Sequence, residues 1–177
     1  MTRITRSTRG VVWMILGVLA LGGVTSTLVS PSARGAGDEP KGDAALERTR
    51  AQARMLDDLF KVAVVDITNR YDGPPAAKVA KAIFAAARDK DYFHARLLDA
   101  TGEPQNEANV PTDAFEKKAA QAMKEGKTEY EQVVVQGKHR RLRVATVVPA
   151  VTEKCAKCHG VNKGDLLGFI SYDLAID

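Results

Sequence analysis

Residues 129–149 read EYEQVVVQGKHRRLRVATVVP, two β-prone runs separated by a glycine. Val133, Val134 and Val135 enrich the first run, and Leu142, Val144, Val147 and Val148 the second. Branched side chains pack well on a pleated surface, and antiparallel neighbours need only a short turn between them. The stretch therefore predicts a hairpin of strands 129–136 and 138–149 turning at Gly137.

The flanking sequence extends this sheet in both directions. Tyr92 to Ala100 (YFHARLLDA) has period two and ends in Thr101-Gly102-Glu103-Pro104, which predicts another strand. Leu166 to Ile176 alternates Ile170, Tyr172 and Leu174 as a last strand. Between them, Pro111-Thr112-Asp113 opens a helix over Ala114 to Lys124 that Gly126 closes. Further upstream the period changes to that of helices. Leu46, Thr49, Ala53, Leu56, Phe60, Ala63 and Ile67 recur at spacings of three and four until Asp72-Gly73-Pro74-Pro75. A second helix follows with Val79, Ala80, Ile83, Phe84 and Ala87 on one face. Helices followed mostly by hairpin-linked strands indicate an α+β domain with an antiparallel sheet.

The amino terminus is of a different kind. Arg3, Arg6 and Arg9 precede a 14-residue apolar run, Val11 to Val24, and Ala33-Arg34-Gly35 offers a small-x-small site. This is the pattern of a secretory signal; an uncleaved anchor needs the run to extend to Val29. Residues 1–35 are thus expected to be a signal peptide or membrane anchor, 36–43 a linker, and 44–177 the folded domain. In either case the arginines stay cytoplasmic and the remainder is exported, which places the domain in the periplasm or another extracytoplasmic space. The membrane is touched only through the amino-terminal segment, if that segment is retained.

The charge follows from that address. The chain of 177 residues has 26 Lys and Arg against 22 Asp and Glu, a formal +4. Arg3, Arg6, Arg9 and Arg34 all lie in residues 1–36, which hold no acid. Removing those four from 26 basic residues leaves 22, matching the 22 acidic ones. A balanced exported domain gives no footprint for nucleic acid.

The chain has only two cysteines, too few for a disulfide framework. They stand in Cys155-Ala156-Lys157-Cys158-His159, the C-x-x-C-H of covalent c-type haem attachment. Two sulfurs can bond to the two vinyl groups of one porphyrin edge, and the adjoining histidine is then carried beneath the ring to ligate iron. The reading predicts one covalent haem c per chain, with Cys155, Cys158 and His159 binding the cofactor and His159 on the metal. Alternatives are a zinc site completed by His159 and one of His94 or His139, or a thiol–disulfide pair.

For the second axial position the candidates are His94, His139, Met14, Met55, Met123 and the lysines. His139 lies next to a turn and is expected to face water. Met55 and Met123 fit a core role on helix faces. His94, between Phe93 and Ala95 on a predicted strand, is the leading candidate, and an open position is the competing one. Arg96, Arg141 and Arg143 are candidates to meet haem propionates, and each has an equal reading as a solvated strand residue.

The ordered set is more specific than the attachment motif alone. A helical first half is followed by a strand with Arg96, then Pro104-Gln105-Asn106-Glu107-Ala108-Asn109-Val110-Pro111 running into Phe115-Glu116. Strand 142–149, the attachment site and Gly168-Phe169-Ile170-Ser171 complete it. In this set the chain resembles the single-haem, PAS-like c-type haem domains of exported bacterial proteins and sensor ectodomains, over about Ala44 to Asp177. The resemblance implies a PAS-like sheet with one haem packed beside amino-terminal helices. It also implies one-electron transfer and redox or ligand sensing; a redox or output partner is expected, and an electron carrier or sensor comes ahead of an enzyme. The resemblance admits a further cysteine in the helical half as an axial ligand, and Val62 to Thr68 (VAVVDIT) has none. A gas or small-ligand sensor with an open distal site is the alternative function; a haem peroxidase and a structural zinc protein are weaker ones.

Overall fold

A computed structural model describes residues 41–72 and 75–177, with side chains from residue 44 onward. The segment read as signal or anchor, and residues 36–40 of the expected linker, lie outside the described residues. The elements, in chain order, are α1 (Lys41–Arg70), α2 (Ala76–Asp89), β1 (His94–Asp99), a 3-10 turn (Glu107–Asn109), α3 (Ala114–Lys124), β2 (Glu129–Gln136), β3 (His139–Pro149), α4 (Glu153–His159) and β4 (Leu166–Ala175). Helix α1 begins inside the expected linker because residues 41–43 have no apolar side chain for periodicity to register. The described residues form an α+β fold, with one four-stranded sheet in the order β1-β4-β3-β2 and every neighbouring pair antiparallel. Gly137 at φ 61° supplies the left-handed residue of the β2–β3 turn.

Each strand face has its own helical cover. Ala95, Leu97, Val144, Val148, Ile170, Tyr172 and Leu174 pack with Ala53, Phe60, Ala80 and Phe84 of α1 and α2. Leu98, Ala145, Val147 and Phe169, one residue out of phase, pack with Phe115, Ala119 and Met123 of α3. Phe60 meets Phe84 edge-on at 4.9 Å between ring centres and Tyr172 face-on at 6.5 Å. An aromatic contact of this kind adds roughly 0.5–1.5 kcal/mol to the area it buries.

Two polar devices fix the helices in register. Asp57, 8 % exposed on the core face of α1, accepts from Thr146 Oγ1 at 2.5 Å and Tyr172 Oη at 3.2 Å, while Lys61 Nζ pairs with its other oxygen at 2.7 Å. Burial beside this carboxylate drives the Tyr172 phenol far above its ordinary titration range. On the opposite face, Glu116 of α3 is buried and receives Arg96 at 2.5 Å, with the Thr112 amide at 2.8 Å. Asp113 caps α3 by accepting from the Glu116 amide at 2.8 Å, and Glu116 returns the bond in a capping box.

Candidate functional site

The C-x-x-C-H residues lie on α4, a short helix in the crossover from β3 to β4. Thr152 is its N-cap, its hydroxyl accepting from the Cys155 amide at 3.1 Å and donating to Cys155 Sγ at 3.0 Å. Gly160 ends the helix in the left-handed region at φ 68°, and returns its N–H to Ala156 O. The excursion is closed at its base where Ala150 N–H donates to Asp165 O at 2.8 Å and Gly164 N–H to Ala150 O at 2.9 Å. Beyond this closure Pro149 pairs directly with Leu166. The sheet thus presents α4 as a stapled projection.

At 3.6 residues per turn, Cys155, Cys158 and His159 fall within an arc of about 100° on this helix. Ala156, about 60° beyond His159 around the helix, is buried, whereas Cys158 and His159 are exposed and Cys155 half-buried. Both thiols are free. The donor set thus suits a prosthetic group held by two sulfurs and one imidazole, with one side of the helix left to solvent.

Helix α4 leans on the end of α1. Lys154 Nζ donates to Tyr71 O at 3.1 Å and to Asp72 Oδ1 at 2.8 Å, and this lysine draws the Asp72 carboxyl below its ordinary pKa. The adjoining half of α1 is incompletely covered. Val62 is 69 % exposed, and Ala63, Val64, Val65 and Ile67 are only half-buried. An aliphatic surface that the protein itself leaves half-covered is where a large apolar group gains most by docking.

The other residues singled out in the sequence are placed elsewhere. His94 is exposed at the first position of β1, opposite Asp173. It shares the α3 face with Arg96 and Leu98, while α4 meets α1 on the other side of the sheet. The rung at Asp99, Gly168 and Val148 marks the end where α4 leaves; His94 stands five residues, about 17 Å, back along the strand. Alternation told which side chains share a face, and could not tell which face or end α4 would adjoin. Arg96 likewise turns to α3, held by Glu116 and by Thr112 Oγ1 at 3.2 Å, instead of towards α4. Arg141 pairs with Asp173 at 2.6 Å; Arg143 pairs with Asp113 at 2.8 Å and lies 4.3 Å over the Phe115 ring. His139 is exposed, as expected. Met123 is in the core, but Met55 is 55 % exposed, contrary to the core role expected of it. With His94 and His139 both away from α4, zinc lacks its further ligands, and no group of three or more His, Cys, Asp or Glu placed to hold a metal occurs among the described residues.

Periodicity passed over α4 itself, which is too short to show it, although Thr152 followed by Glu153 is a helix-start signal. It also gave no hint of the Lys154 tie to α1, which joins residues far apart in sequence.

The family model Tll0287-like (Tll0287) matches residues 25–167, so the chain belongs to that family. The crystal structure of the cyanobacterial heme-protein Tll0287 is similar with a TM-score of 0.54 and 15 % identity, over 72 % of this chain and 95 % of that one. At that identity the two share a fold. No curated protein matches the chain. The PAS-like domain family inferred from the ordered motif set is borne out by these relations.

Proposed function

We propose that this member of the Tll0287-like family is an exported haem protein in which α4 carries one covalent haem c. Cys155 and Cys158 would form the two thioether links, and His159 would be the proximal ligand. The observation that carries the reading is their exposure along one arc of a stapled helix, beside the half-covered aliphatic surface of α1. The family relation and the printed description of the structural relative as a heme-protein support it.

A haem so held supplies an iron that cycles between the ferrous and ferric states by one electron. The chain's part is to fix the ring edge, orient His159 and exclude water with α1. One-electron transfer or redox sensing is the activity this suits, with a redox protein or an output partner to receive the signal. Location follows from the amino-terminal segment, as a periplasmic protein or one tethered by that segment. No helix among the described residues is long and apolar enough to cross a membrane.

The test is expression with the cytochrome c maturation machinery, followed by haem staining after denaturing electrophoresis. Wild type should retain haem, each of Cys155→Ala and Cys158→Ala should retain less, and the double variant none. Staining in the double variant would refute the attachment site.

A further inference from the structure

We infer that β2 is the seam of a homodimer, in which it pairs antiparallel with β2 of a second copy and joins the two four-stranded sheets. The order β1-β4-β3-β2 leaves β2 at an edge, eight residues long from Glu129 to Gln136. The register fixes which of its backbone groups β3 leaves unpaired. Val147 N–H donates to Thr128 O at 3.0 Å, so these two form a bonded pair, and alternation passes the bonds on to residues 130, 132, 134 and 136. Ile176 N–H donates to Arg140 O at 2.9 Å, which turns the Arg140 carbonyl towards β4 and away from its β2 neighbour Val135. Glu129, Glu131, Val133 and Val135 therefore aim their N–H and C=O groups outward, and no other element among the described residues bonds to those groups. Natural edges are blunted by Lys, Pro, bulges or a covering element. The sequence EYEQVVVQ has neither Lys nor Pro, and its ladder with β3 has no bulge. Helix α3 packs on one face of β2, where Phe115 meets Tyr130 at 5.3 Å between ring centres, and α1 reaches the strand through the Arg50–Glu131 ion pair. The other edge strand, β1, is met by the 3-10 turn, with Arg96 reaching Ala108 O at 3.4 Å.

The strand's own charges select a second copy as the occupant. Glu129 and Glu131 stand near its start, and Lys138 stands in the turn at its end. An antiparallel partner of the same sequence brings each acidic end to the other's basic end. Centring the two-fold axis on Val133 pairs that residue with its own copy, Glu131 with Val135, and Glu129 with Gly137 beside Lys138. No like charges then face each other along the paired strands, whereas centring on Glu131 would oppose two carboxylates. The run Val133-Val134-Val135 of each copy meets that of the other, and Val135, 65 % exposed in the single chain, is covered. A two-fold axis normal to the sheet keeps every side chain on its own face, and makes the contact isologous and closed.

Sedimentation equilibrium of the full chain, exported by the cell and held in a density-matched mild detergent, reads the assembly without reference to haem. Wild type should have the mass of two chains. Val133→Pro deletes an outward N–H that β3 does not use. By symmetry it removes two bonds from the seam, and should raise the dissociation constant about tenfold or more. Val135→Glu sets a carboxylate against Glu131 of the second copy and should weaken the dimer, while Val135→Lys should not. Leu59→Lys, at a position 59 % exposed on α1, should leave the mass unchanged. A wild-type monomer across the accessible concentration range would overturn the inference. So would a dimer that survives both Val133→Pro and Val135→Glu, or equal weakening by Glu and Lys at position 135. Dissociation by Leu59→Lys alone would assign the contact to α1 and overturn it too. If the proline variant does not fold, the two Val135 variants decide by themselves.

Discussion

Replacing Arg96 with alanine separates a structural arginine from one that serves a cofactor. Arg96 reaches the Glu116 carboxylate at 2.5 Å, and the Glu116 side chain is 3 % exposed against 42 % for Arg96. Leaving an uncompensated buried charge costs about 3–5 kcal/mol. Two features reduce that here. The arginine is partly hydrated already, and the carboxylate keeps the Thr112 amide at 2.8 Å, the Thr112 hydroxyl at 3.1 Å and the Asp113 amide at 3.4 Å. The expected loss is about 2 kcal/mol. For a domain of roughly 140 residues, 1 kcal/mol corresponds to about 3–5 °C, so Tm should fall by about 6–10 °C. Thermal unfolding of the haem-bearing protein measures it, and a cycle with Glu116→Gln should show a coupling of about 1 kcal/mol. Because Arg96 faces α3, covalent haem content and midpoint potential should not move. A Tm within about 2 °C of wild type, or an additive cycle, would refute the reasoning. A shifted potential at unchanged Tm would restore the propionate role.

Gly168 pairs with both Asp99 and Val148, and a Cβ added there would sit 2.1 Å from Leu98 O. Gly168→Ala must push two backbones apart, and is expected to cost about 1–3 kcal/mol in urea unfolding; a wild-type midpoint would show that the strands yield freely. Asp113 is partly buried, which opposes ionisation, yet the bonds from Arg143 and the amides of Glu116 and Phe115 prevail and hold its carboxyl below the usual range. A pKa depressed by folding gives stability that is present above the unfolded value and lost as pH falls through the folded one. The Tm difference between wild type and Asp113→Ala should therefore be largest near neutrality and shrink in acid; a difference constant down to about pH 2 would contradict this.

The parts of the fold that the sequence made legible are those governed by local rules. The hairpin came from β-branched runs around Gly137, and α3 from the Thr112-Asp113 start and Gly126, with its bounds at Ala114 and Lys124. Asp57 shows where such rules stop. It lies on the apolar face of α1 as an apparent defect in periodicity, and only β3 and β4 supply the Thr146 and Tyr172 hydroxyls that satisfy it. Met55 shows the reverse, an apolar residue left outside because nothing in the described fold covers that side of α1.

The proposed attachment residues were legible in the sequence alone, since two sulfurs and an imidazole within five residues need no distant partner to come together. The surroundings of His94 and Arg96 were decided by tertiary structure. Alternation assigns His94 and Arg96 to one face of β1, but the covering of that face by α3, and the departure of α4 from the far end of the sheet on the α1 side, are set by how strands pair across the whole chain. The β1–β4 pairings join residues 69 to 79 apart, beyond the range of any local period.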